Sequence, residues 1–112
     1  MELSKSDKRI ARIIIEKGLV VELEKGLNKA EKILKDWKQG KGNTLDSYHA
    51  LYKHITNFDD KIERRYDNTR NGDLMFIIVH QLYEKLIDKE EIKAFSEEGQ
   101  AIIETILSLR DR

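Results

Sequence analysis

The chain has 112 residues, 38% of them charged and 39% apolar, and its 21 basic and 21 acidic side chains balance to zero net charge. It holds no cysteine and no proline, which excludes disulfides and thiolate chemistry and lets helices run unbroken. No stretch approaches the roughly 18–20 apolar residues of a membrane span, and the run RIARIII is too short for the core of a secretion signal, so the expected setting is the cytoplasm.

The first predicted element is a helix over 4–39. Val20, Leu23, Leu27, Ala30, Leu34 and Trp37 recur in alternating steps of three and four, a heptad-type seam. Ile10, Ile13, Ile14 and Ile33 widen that stripe. Ser4 or Ser6 can cap the helix, with Asp7 in a first turn whose dipole favours an acid, and QGKGN at 39–43 ends it. At about 1.5 Å per residue it is nearly 50 Å long, more than a small core with a radius of gyration near 13 Å covers. The seam residues Val20, Leu23, Leu27, Leu34 and Trp37 are therefore expected to meet a second copy. Gly18 and Gly26 interrupt the helix, either as points of close backbone approach or as tolerated weak spots.

A second helix is predicted over 44–70, capped by Asn43 or Thr44. Tyr48, Leu51, Ile55, Phe58, Ile62 and Tyr66 give it one apolar face. NTRNGD at 68–73 reads as the turn that ends it, with Asn71-Gly72 as pivot. The most apolar segment, DLMFIIVHQLYEKLI, follows as a central buried helix capped by Asp73. Asp88 and Glu91 form a capping-box pattern opening a short helix to about Phe95, and Ser96 caps a last helix with Ile102, Ile103, Ile106 and Leu107 on its sticky face. The fold class is all-α: one domain over 1–112, a long helix antiparallel to a second, and a compact C-terminal head of three shorter helices over 73–112.

Candidate chemistry is sparse. His49 and His54 sit roughly 140° apart on a helix, and neither a Glu-x-x-His pair set nor a His-Glu-x-x-His motif occurs. His80 falls on the buried helix as a hydrogen-bonded core residue. No serine lies in a nucleophile elbow, and Gly40 and Gly42 lack the rest of a phosphate loop. No catalytic residue, metal ligand or cofactor is assigned.

Charge is unevenly spread. Residues 1–44 carry 11 basic and 7 acidic side chains, a surplus of four, which 45–112 reverse with 10 and 14. In the second helix, Lys61, Arg64 and Arg65 interleave with Asp59, Asp60, Glu63 and Asp67, as in Asp60→Arg64. That pattern suits an ion-pair-laced surface better than phosphate recognition. Tyr52 and His49 stand off the apolar stripe and mark the expected docking surface, together with Asp59, Arg65 and Arg70.

The middle of the chain also carries Leu45-Asp46, then Ile62 and a basic residue before Tyr66-Asp67, Arg70, the apolar LMFIIVHQLYEKLID, and EEI opening the next element. Over about residues 7–95 this arrangement resembles the cyanobacterial fluorescence recovery protein family, small all-helical dimers that accelerate relaxation of the photoactivated orange carotenoid protein. The resemblance implies the fold and a dimer. In an ungapped match over the second helix, that family's functional tryptophan, aspartate and arginine fall on His49, Lys53 and Asp59, so scaffold positions are kept and functional ones are not. The leading expectation is a non-enzymatic docking or regulatory module. A nucleic-acid-associated regulator using the basic first half is the alternative, and a small enzyme or metal protein comes third.

Overall fold

The computed structural model describes residues 3–67 and 74–111. In chain order they form α1 (Lys5–Lys38), α2 (Thr44–Tyr66), α3 (Leu74–Tyr83), a 3₁₀ helix (Lys89–Ala94) and α4 (Glu97–Arg110), with no strand among them. The predicted turn, including Asn71-Gly72, Asp73 and Arg70, lies outside the described residues. No described helix is long and apolar enough to cross a membrane.

The chain divides into two compact units, Met1–Val21 with Asp67–Arg112, and Glu22–Tyr66. The first unit, the head, holds most of the core. α3 buries Leu74, Met75, Ile77, Ile78 and Val79, because ten consecutive residues with almost no charge leave little to turn toward water. It packs on α4, whose Ile103 is 1% exposed, and on α1, in which Ala11, Ile14 and Ile15 are buried. Leu86, Ile87 and Phe95 complete this core. Gln81, wholly buried, donates through Nε2 to the Ile15 carbonyl at 2.9 Å.

Two helix starts in the head are tied to each other. Ser4 Oγ accepts from the Asp7 amide at 3.0 Å, and Ser96 Oγ accepts from the Gly99 amide at 3.1 Å. Both are N-caps at the positions their sequence implies. The Asp7 carboxylate, 2% exposed, then accepts from the Ser96 amide at 2.9 Å and from the Ser96 hydroxyl. Those two donors, the amide first, hold its pKa below the usual carboxylate value, against the opposing effect of burial. Gly99 sits where an added Cβ would meet Asp7 Oδ2 at 2.7 Å, so the carboxylate needs that glycine's open space.

Helices α1 and α3 end alike on unlike residues. Lys41 N donates to Asp36 O and Gly40 N to Trp37 O; Leu86 N donates to Gln81 O and Lys85 N to Leu82 O. Both are Schellman closures, which require a left-handed residue. Gly40, with φ of 75°, meets that requirement without cost, whereas Lys85 is held at φ 59° with a side chain attached. The Asp88–Glu91 capping box forms, with the Asp88 amide donating to Glu91 Oε2 at 3.3 Å. The short helix expected there forms, and it is wound as a 3₁₀ helix. At six residues, it is short enough for that tighter winding.

The second unit is a hairpin of two antiparallel helical stretches, the C-terminal part of α1 and α2. Asn43 caps α2, exchanging bonds with Asp46: the Asp46 amide donates to Asn43 Oδ1 at 2.7 Å and Asn43 Nδ2 donates to Asp46 Oδ2 at 2.8 Å. Trp37 Nε1 donates to Thr44 Oγ1 at 3.2 Å across the turn.

Candidate docking surfaces on the hairpin

Within Glu22–Tyr66 the two helices meet through small and polar groups. Glu22, Gly26 and Ala30 are buried and Ile33 half-buried, a line at helical spacing along α1. At Gly26 an added Cβ would lie 2.7 Å from the Phe58 ring, so this glycine marks a point of close approach. One turn along, His54 Nε2 donates to the Gly26 carbonyl at 2.9 Å, which fixes the proton on that nitrogen. At the end of the hairpin the Glu22 carboxylate takes Arg65 Nη1 on Oε2 and the Tyr66 hydroxyl on Oε1, the latter at 2.7 Å.

The large apolar side chains face the other way. Leu23, Leu27, Leu34 and Trp37 of α1 are 37–66% exposed, so of the heptad seam read from the sequence only Ala30 lies on the buried line between α1 and α2. Val20 and Ile13, further up α1, are also about half exposed, at 50% and 55%. On α2 no residue is buried. Its inward line is Leu51, His54, Phe58, Ile62 and Arg65, all half-buried, whereas Tyr48 (66%) and Ile55 (46%) belong with Leu45 and Tyr52 to a second, outward stripe. The single apolar face expected for α2 is thus two stripes, because steps of three and four fit either line until the partner helix chooses one.

The expected docking residues separate accordingly. His49, Tyr52 and Asp59 are exposed, and the His49 ring stands edge-on to Tyr48 with centroids 5.8 Å apart. Arg65 departs from the expectation of an open surface: its guanidinium is engaged by Glu22, with side chains 12% and 7% exposed. Arg70 lies outside the described residues. The predicted i,i+4 ladder, Asp60→Arg64 included, is not formed among the described residues of α2; the ion pair that does form, Arg65 with Glu22, crosses to α1. Extended Lys and Arg side chains at an exposed helix surface gain too little from such pairing to be fixed by it.

Of the histidines, His80 lies 3.2 Å from Glu84 through Nε2, a neighbour one turn along α3. No group of three or more His, Asp or Glu side chains among the described residues is placed to hold a metal ion.

Sequence reasoning missed Glu22 and His54 as contact residues of the hairpin, and for Gly26 the structure selects close approach from the two readings the sequence offered. The sole signal was the i,i+4 spacing of Glu22, Gly26 and Ala30, which carries no hydropathy. No family model, curated protein or solved structure matches the chain.

Proposed function

We propose that the protein is a non-enzymatic docking module that works as a homodimer, with the hairpin faces as its contact surfaces. One observation carries this reading: both helices of the hairpin turn their large apolar residues outward, Leu23, Leu27, Leu34 and Trp37 on α1 and Leu45, Tyr48, Tyr52 and Ile55 on α2. Burying such a side chain is worth about 1.5–3 kcal/mol; the α2 set steps by 3, 4 and 3 and the α1 set by 4, 7 and 3, spacings compatible with knobs-into-holes packing. A second copy supplies a matching pair of helices. The resemblance of RYD and the following apolar helix to the fluorescence recovery protein scaffold supports the dimer in the same direction. The positions corresponding to that family's functional side chains are His49, Lys53 and Asp59, which supports a partner of different chemistry.

Seam and partner surface are assigned separately. Val20, Leu23, Leu27, Leu34 and Trp37 form the self-contact, and His49, Tyr52 and Asp59 the surface offered to another protein. Aromatic anchors such as Tyr52 concentrate binding energy in protein contacts.

Light scattering should give twice the 13.2 kDa of one chain, and Leu27→Glu with Leu34→Glu should return a folded monomer. A wild-type monomer at all accessible concentrations removes the dimer. For docking, the native-host protein that co-purifies with wild type should be lost with Tyr52→Ala and keep the dimer intact. Unchanged co-purification would rule this surface out.

A further inference from the structure

The first two turns of α1 break two electrostatic rules at once. Lys5, Lys8, Arg9 and Arg12 occur at i, i+3, i+4 and i+7, so all four project from one side of the helix and line one shallow depression of about 360 Å³ with Ile13. Four like-charged pairs arise at three- and four-residue spacing, each unfavourable on a helix surface. Positive charge at a helix N-terminus also opposes the macrodipole. The acid that would relieve both, Asp7, points inward and is committed to Ser96. None of the four cations makes an ion pair among the described residues. By contrast Lys17, on the same helix, pairs with Glu91 at 2.9 Å, and Lys35 and Lys38 sit in the last turn, where the dipole favours them.

A local conflict of like charges against the helix dipole that no described residue offsets points to an external compensation. We infer that this cationic face binds an acidic amphipathic helix of a partner protein. The chemistry of the depression selects that class. Ile13, 55% exposed, stands among the cations and asks for an apolar neighbour as well as anions. The stripe runs seven residues, about 10 Å, which matches two turns of a helix bearing acids at the same spacing. A lipid surface is disfavoured because Ala11, Ile14 and Ile15 are already buried in the head, which leaves Ile13 alone and no continuous apolar face to insert. Nucleic acid is disfavoured because the chain has no net positive charge to draw a polyanion and the depression has no aromatic ring for a base. This inference does not rest on the hairpin surface: Tyr52→Ala should leave it unchanged, so the two readings fail separately.

The test is fluorescence anisotropy with a labelled helical peptide of about 18 residues, carrying Glu at i, i+4 and i+7 beside a row of Leu. The same peptide with Lys for Glu, a DNA duplex, and phosphatidylcholine–phosphatidylserine vesicles are the competing probes. The acidic peptide should bind wild type most tightly. Binding should weaken about tenfold or more between roughly 0.1 M and 1 M salt, as the Debye length falls from about 10 Å to 3 Å. Lys8→Glu with Arg12→Glu should abolish it. The milder pair Lys8→Gln with Arg12→Gln should weaken it and raise the melting temperature of the free protein, since the repulsion is relieved. The inference is overturned if the acidic peptide does not bind at low salt, if charge reversal leaves its affinity unchanged, or if DNA or vesicles bind more tightly. A lower melting temperature for the Gln pair would overturn it too, by showing that the cations serve the fold.

Discussion

The head and the hairpin are built from the same kind of amphipathic helix and bury different things. In the head, Ile78, Val79, Leu74 and Ile103 are 0–1% exposed, and the buried amide side chain of Gln81 is bonded to a backbone carbonyl. In the hairpin, the buried positions are Glu22, Gly26 and Ala30, and the leucines of α1 are outside. The head buries a continuous apolar core within one chain, although Ile13, Phe76, Tyr83 and Leu109 stay exposed at its surface. The hairpin sets its helix spacing with small residues and keeps its apolar surface on the outside. Self-sufficient packing and outward presentation are therefore written into the same long helix by which face carries the bulk.

The sharpest way to break this contrast is to cut one methyl-rich side chain from each region. Ile78→Ala should destabilise the protein by about 3–4 kcal/mol, the cost of a lost contact plus an unfilled cavity. Leu27→Ala, at a residue 66% exposed, should cost less than about 0.5 kcal/mol in dilute protein, with a larger loss appearing as concentration rises. Urea unfolding at two protein concentrations reads both. Equal costs in dilute protein would show that the hairpin face is covered within the chain.

A smaller effect comes from the interlocked caps of the head. Asp7→Asn should lose about 2 kcal/mol near neutral pH, the range for a charge-assisted hydrogen bond. Because the folded-state pKa of Asp7 is lowered, its contribution is fully present above the unfolded value of about 3.9. It disappears as pH falls through the lower folded value. Melting curves of the two proteins should diverge above about pH 4 and converge in stronger acid; a gap constant with pH would mean that the charge is not the source.

The smallest effect separates the two interrupting glycines. An added Cβ at Gly18 would sit 2.4 Å from Gln81 Nε2, in a buried amide that cannot leave without abandoning the Ile15 carbonyl. Gly18→Ala should thus cost about 1–2 kcal/mol net. At Gly26 the obstacle is Phe58, half-buried and able to swing outward. There the gain of about 1 kcal/mol in helix propensity should nearly cancel the clash. Thermal melts of the two single variants give the comparison directly.

What was legible in the sequence follows the same division. The elements of the head, its core residues and its caps at Ser4 and Ser96 could be read, since hydropathy and capping chemistry are local signals. The all-helical class and the antiparallel hairpin were legible for the same reason. The inward face of the hairpin was not, because glycine, alanine and glutamate carry no apolar signature and the partner of Glu22 lies 43 residues away. Nor was the left-handed Lys85, for which nothing in the residue type announces the conformation. Of the proposed docking residues, the exposure of Tyr52 and His49 could be anticipated from the sequence. Arg65 could not be told from a surface cation until its carboxylate was placed beside it.

The cluster of Glu22, Arg65 and Tyr66 has a consequence for alignment. Two helices that touch through small side chains have little to stop them sliding past each other along their axes. A slip of one turn, about 5.4 Å, would bring the Gly26 notch out of line with Phe58 and leave the Glu22 carboxylate half-buried without its two donors. An unpaired buried charge of that kind costs several kcal/mol, far more than the shift in apolar contact returns. The cluster thus works as a vernier: it fixes the axial register of α1 against α2, and with it the relative phase of the two outward stripes. Any surface that recognises both helices depends on that phase being single-valued.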